Sequence, residues 1–255
     1  MDSNFYDILA SHYDTMQSDM DTYCWAGYID SLIKRHSETE GGTHSVVDLG
    51  CGTGSVDIPL MRHGYSIIGI DSAEEMLAQA TAKDGADKIC WTAQDITDFE
   101  LPGRADCFVS LLDTLDHITD RTALRRIFAQ VYSYLEPGGV FIFDVITHKH
   151  LAETLADNVF FEDYEDFTLL WVNDFDEDTA TNTASLTLFD ATDDGTYERY
   201  DGELIEKYYP PDEFRAMAQE AGLTELGRYG ELTMQSPDSS AERIFLVFGK
   251  PKENL

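Results

Sequence analysis

A β-branched run that stops abruptly in alternating glycines constrains this chain more than any other feature. Residues 45–54 read SVVDLGCGTG. Val46 and Val47 suit a strand buried on both faces, and Gly50, Gly52 and Gly54 cannot extend it. Glycine has no Cβ, so the backbone can turn through unusual dihedrals and a ligand can lie directly against it. A helix is expected from about Ser55. Such a strand–turn–helix unit opens a parallel α/β sheet, in which ligands bind outside the carboxyl ends of the strands. Asp48 stands just before the turn, where a carboxylate favours a positive or hydrogen-bond-donating ligand. A pyrophosphate needs backbone N–H groups and a helix N-terminus instead. The third glycine of G-x-G-x-x-G is also missing, because Ser55 lies three residues past Gly52. Both features argue against an NAD-dependent dehydrogenase.

The following segments complete an alternating pattern. Tyr65–Ile70 reads as a second buried strand ending in Asp71, 17 residues past Gly54. That is close to the ~20-residue spacing at which an acid meets ribose hydroxyls. Ser72 is the expected N-cap of the next helix, whose Glu74 and Glu75 suit its positive end. Further strands are expected at Lys88–Thr92, Asp106–Leu112 and Val140–Val145, with an amphipathic helix over Arg121–Leu135. Asp113, Asp116 and His117 follow the fourth strand on the ligand-binding side. Asp144, Thr147 and His148 occupy the equivalent place on the fifth.

Two helices precede the glycine turn. The first is capped by Ser3 or Asp2 and turns Phe5, Ile8, Leu9 and Tyr13 to one side; the second covers Tyr23–Lys34. From Phe160 the period becomes two, with strands at Phe167–Val172, Thr183–Phe189 and Thr196–Tyr208 and a hairpin turn at Asp193-Asp194-Gly195. Asp174, Asp176 and Asp178 copy the first spacings of a calcium loop. Thr179 and Ser185 replace its glycine and bidentate glutamate, so an acidic hairpin turn is the better reading and no metal site is expected. A helix from Pro210 to Ala221 and a hairpin of Leu223–Leu232 with Arg243–Phe248 close the chain.

The glycine-rich turn with Asp71 resembles motif I of the class I S-adenosylmethionine (SAM)-dependent methyltransferases. LEPGG followed by VFIFDV (residues 135–145), the late insertion and the closing hairpin extend that resemblance over nearly the whole chain. YDILASHYD (residues 6–14) is similar to an N-terminal pattern in a bacterial subgroup related to small-molecule and sugar N-methyltransferases. The resemblance implies a Rossmann-like seven-stranded α/β sheet of order 3-2-1-4-5-7-6, counting sheet strands only, with strand 7 antiparallel. The SAM-binding domain would comprise residues 1–150 and 210–255. Residues 151–209 would form an antiparallel β lid that governs acceptor choice.

It further implies a methyl transferase that uses SAM, releases S-adenosylhomocysteine (SAH), and modifies nitrogen or oxygen of a small molecule. Cofactor contacts are carried over to Tyr13, which covers it; to Asp48, Gly50, Cys51 and Gly52; to Asp71 and Ser72 at the ribose; to Asp95 and Ile96 at the adenine; and to Leu112. Tyr6 is read as packing. His117 is the candidate general base, oriented by Asp113 or Asp116, and Tyr13 is a second catalytic candidate. A catalytically silent SAM-binding regulator and a tRNA or protein methyltransferase are the competing readings.

Charge bears on the partner. With 17 basic against 49 acidic residues the net charge is −32, a field that repels nucleic-acid phosphates and anionic membrane surfaces. No apolar run approaches the ~20 residues that span a bilayer, and the acidic N-terminus lacks a basic signal region. A cytoplasmic protein is expected, without nucleic-acid or membrane partners. Cys24, Cys51, Cys90 and Cys107 lack C-x-x-C spacing and read as reduced, buried thiols. The exposed edges of the insertion could pair two subunits into a homodimer.

Overall fold

A computed structural model describes residues 5–252. The proposed cap at Ser3 or Asp2 lies outside them. Two helices, α1 (Phe5–Met16) and α2 (Thr22–His36), lead into β1 (Ser45–Leu49). Asp21 caps α2 by accepting from the N–H groups of Tyr23 and Cys24. Then come α3 (Asp57–Arg62), β2 (Ser66–Asp71), α4 (Glu74–Ala82), β3 (Cys90–Ala93), β4 (Ala105–Ser110), α5 (Arg121–Tyr134) and β5 (Leu135–Ile146). The insertion contributes β6 (Val159–Asp163), β7 (Phe167–Asp176), β8 (Thr181–Ala191) and β9 (Tyr197–Lys207). The chain ends with α6 (Pro211–Ala221), β10 (Thr224–Gly230) and β11 (Arg243–Gly249).

The main sheet has seven strands in the order β3-β2-β1-β4-β5-β11-β10. β11 runs antiparallel to β5, with Phe245 opposite Asp144. This is the expected topology, β10 and β11 being the sixth and seventh strands of that sheet. Residues on β1 alternate between two apolar layers, as the pleat requires. Val47 and Leu49 face α5 and α6 through Leu124, Ile127, Phe128, Phe214 and Met217. Val46 faces α2 and α3 through Trp25, Ile29, Leu32, Ile58 and Leu60.

The insertion is a separate four-stranded antiparallel sheet, β6-β7-β8-β9. Its β6 was not expected. Asp176 caps the β7–β8 turn, accepting from Asp178 N–H at 2.9 Å and from the Thr179 hydroxyl at 2.9 Å. One face of this sheet packs on α1, where Phe5 and Leu9 meet Phe167, Leu169, Leu186 and Leu188. The opposite flank of α1 lies on α4 through Ala10, Ala73 and Met76. Helix α1 therefore stands between the insertion and the main sheet, and its Tyr6 and Tyr13 pack beside that second contact.

Two local expectations need correction. Helix α3 begins at Asp57 rather than Ser55, because Gly54 still holds positive φ (67°) and the next residues form a turn. Cys24 and Cys90 are exposed, so only Cys107 is a buried thiol and Cys51 a half-buried one; all four are free.

Candidate active site

Eleven residues assigned to the site from sequence line one cavity of about 410 Å³: Tyr13, Asp48, Gly50, Cys51, Gly52, Asp71, Ser72, Asp95, Ile96, Leu112 and His117. Each lies at or just beyond the carboxyl end of a strand or on α1, where the topology of an open α/β sheet puts a ligand. Strand β9 joins them, contributing Glu203, Leu204 and Ile205. The insertion thus walls the same space as the glycine turn.

The turn is built for close approach. Gly52 has φ 53°, and a Cβ there would point into open space with nothing within 4 Å. The backbone at this point is bare toward the cavity. Asp71 fixes it: Oδ2 accepts from Gly52 N–H at 2.8 Å and Oδ1 from Ala73 N–H at 2.8 Å. This replaces the expected cap. Ser72 is exposed and makes no capping bond; Ala73 occupies the N-cap position of α4 and the Asp71 carboxylate takes its amide instead. A carboxylate offers about four acceptor positions, so Asp71 keeps capacity for a ligand. Helix α1 is pinned to the turn as well, since Asp14 accepts from the Thr53 hydroxyl at 2.5 Å and pairs with Lys83 at 2.6 Å.

Asp95 is exposed, with Oδ1 on Thr97 N–H at 2.7 Å, and Ile96 beside it is buried. Across the cavity, His117 is held from both ring nitrogens. Nδ1 lies 3.0 Å from the Ile205 carbonyl and Nε2 lies 2.9 Å from the Tyr6 hydroxyl. A carbonyl can only accept, so Nδ1 carries the proton and the lone pair of the neutral ring sits on Nε2.

Comparisons with known proteins agree with this geometry. Residues 46–139 match the family model described as "Methyltransferase domain". YqeM of Bacillus subtilis (strain 168), which carries a provisional methyltransferase name, is 27% identical over 251 residues, 97% of this chain and 98% of that one. A solved SAM-dependent methyltransferase from Clostridium acetobutylicum ATCC 824 superposes with a TM-score of 0.83 at 25% identity, covering 97% of this chain and 100% of that one. Together these matches support a class I SAM-dependent methyltransferase. The sugar N-methyltransferase KedS8 from Streptoalloteichus sp ATCC 53650 shares the fold, with a TM-score of 0.75 at 18% identity over 94% of this chain and 93% of that one.

The methyltransferase's residues fit its cofactor. The bare Gly52 backbone, the remaining acceptor capacity of Asp71 and the buried, unpartnered Oδ1 of Asp48 offer what a ligand with ribose hydroxyls and an ammonium group requires. Burial pushes the Tyr6 and Tyr13 hydroxyls well up, with Asp113 and Asp71 adding to it, so both remain neutral phenols. Burial likewise raises the Cys51 thiol and the Asp71 carboxyl, although the amides of Ala73 and Gly52 pull Asp71 back.

The remaining candidates do other work. Asp113 and Asp116 do not orient His117. Asp113 forms an ion pair with Arg243, and fully buried Asp116 accepts from Ile146 N–H at 2.9 Å. Asp144, also fully buried, pairs with Arg243 and accepts from Leu112 N–H at 2.8 Å and Asp113 N–H at 3.3 Å. It thereby holds Leu112 and Asp113 in left-handed conformation, φ 57° and 66°. Thr147 donates to the Ala241 carbonyl, and His148 lies 3.0 Å from Glu177. Sequence reasoning missed Arg243, Asp57 and the bond from Tyr6 to His117. The tyrosine could have been suspected, because it lies seven residues before Tyr13, two helical turns along one stripe.

Proposed function

We propose that this methyltransferase acts on a small-molecule amine or hydroxyl, and that His117 with Tyr6 removes the acceptor's proton. The observation that carries the reading is the fixed tautomer of His117. The Ile205 carbonyl holds Nδ1–H, which leaves Nε2 as the basic atom, and Nε2 meets a Tyr6 hydroxyl on the cavity wall. When bound, SAM supplies an electrophilic methyl group on a sulfonium leaving group, so the protein's task is orientation, exclusion of water and proton removal. Tyr13 and Ile96 flank the cofactor, while Asp48, the glycine turn and Asp71 anchor it. Tyr6 passes its proton to Nε2 as it takes one from the acceptor.

The size of the cavity falls in the range of small-ligand sites, and the net charge of −32 opposes an RNA acceptor. The fold shared with a sugar N-methyltransferase across the insertion supports residues 151–209 as a substrate subdomain on a core of 1–150 and 210–255. The test is a turnover screen with SAM over amine, hydroxy and carboxylate metabolites, read by product mass. Methylation of an amine or alcohol is the expected result. SAM binding without transfer to any small molecule would overturn it.

A further inference from the structure

Behind Asp48 lies a second acid that the cofactor site does not explain. Asp57 opens α3 on the far side of the glycine turn. Asp48 is 4% exposed and Asp57 1%. No donor reaches either oxygen of Asp57 or Oδ1 of Asp48. A buried carboxylate normally collects donors, and one without them strongly disfavours its charged form. The two carboxyl groups lie within hydrogen-bonding reach of each other, and with no outside donor on Asp57 or on Oδ1 of Asp48 they cannot both be ionised. A single shared proton satisfies both, the pair titrating as one unit.

The surroundings point the same way. Asp48 faces Asp57 from α3, Asp71 at the end of β2 and Asp144 on β5, all of like sign. The Cys51 and Cys107 thiols near the pair are pushed up and stay neutral. Lys83, just past α4, is the cation that acts on Asp57, and it is already paired with Asp14. Burial places Asp57 at about 7 and Asp48 well above its ordinary range. Asp48 lines the cavity, whereas Asp57 stands behind it. A ligand cation therefore meets the pair through Asp48 alone.

We propose that Asp48 and Asp57 share one proton in the ligand-free enzyme and release it to solvent when the cofactor's ammonium group docks on Asp48. The added positive charge does what the protein itself leaves undone: it compensates the second carboxylate. Asp57 is a positioning residue in this scheme, acting on the cofactor only through Asp48. The inference rests on the assignment of Asp48 to the cofactor site.

Calorimetry tests it. SAH carries the same ammonium and does not react. It would be titrated into the full chain at neutral pH in phosphate and in Tris, whose ionisation enthalpies differ, so that the difference in heat counts protons. The wild-type enzyme is expected to release up to about one proton per SAH bound. Asp57→Asn, whose amide can donate to Asp48 and keep it ionised, is expected to bind SAH with release near zero. Asp57→Thr serves as a second neutral replacement with a hydroxyl donor should the first not fold. Equal heats in both buffers for the wild type, or release undiminished in a folded Asp57 variant, would overturn the shared proton while leaving the cofactor site standing. No SAH binding at all would overturn the cofactor assignment and the proposal with it.

Discussion

Removing Arg243 should expose how the ligand-binding end of β4 is held. The guanidinium is 17% exposed and pairs with Asp113 and with Asp144, which is fully buried. Burial lifts Asp144 to about 6 even with Arg243 pulling it down. In Arg243→Ala, Asp144 keeps only the amides of Leu112 and Asp113. Stranding a buried charge in this way costs ~3–5 kcal/mol. At ~2–4 °C per kcal/mol for a chain of this size, the thermal midpoint should fall by about 6–20 °C.

The loss carries a pH signature. A carboxyl whose folded pKa is raised is protonated in the folded state while the unfolded chain has already lost its proton. Its contribution to stability is therefore greatest below the unfolded value near 4 and declines as pH rises through the folded value. Without Arg243 that folded value rises above 6, so the deficit of the variant should be smallest in mild acid and grow toward pH 8. Arg243→Met combined with Asp144→Asn should recover most of the loss, because neither buried charge remains. Thermal unfolding by circular dichroism across pH reads both variants against the wild type. A midpoint lowered by less than about 3 °C, or a deficit independent of pH, would refute the reasoning.

Asp71→Ala should weaken SAM by ~1–3 kcal/mol through lost charge-assisted bonds and a loosened Gly52 amide, measured by titration calorimetry; unchanged affinity would remove Asp71 from the site. His117→Ala should lower kcat by ~10²–10⁴-fold with SAM affinity nearly constant, and the limb of kcat that rises with pH should vanish; a loss of tenfold or less with an unchanged profile would leave the ring a structural role. Gly202→Val should pry α1 from the insertion, since even a Cβ there would clash with the Phe5 ring. Lower stability and weaker SAM binding should appear together in that variant, because α1 carries Tyr13.

The parts of the fold written in local patterns were legible. Val46 to Gly54 declares its strand and turn within nine residues, and period-two runs announced three of the four insertion strands. Strand β6 escaped because Val159–Asp163 is short and ends in acids, and pairing with β7 rather than propensity makes it a strand. Most of the residues that line the cavity could be picked out because they follow strand ends directly. The partners of His117 could not: Ile205 acts through a backbone carbonyl 88 residues away, which no side-chain pattern records. Nor could the left-handed turn at Leu112–Asp113. It contains no glycine and is held by an arginine 130 residues later. Nothing in the sequence singles out Asp57, and only its burial makes it unusual.

The position of α1 sets the order in which this site can be completed. The helix precedes every strand of the fold, yet one of its flanks waits for residues 167–188 and for the Gly202 contact near the end of the insertion. Such distant closures are slow relative to local ones. The parallel core around β1, β4 and β5 can form without them, and the wall carrying Tyr6 and Tyr13 arrives late. The same junction is held by one helix of 12 residues and a thin apolar seam, a unit that opens at lower free energy than the core. Amide exchange should therefore run faster in α1 and β9 than in β1 and β4. A ligand bridging Tyr13 to the glycine turn should slow the exchange of helix and insertion strand together, as one cooperative unit.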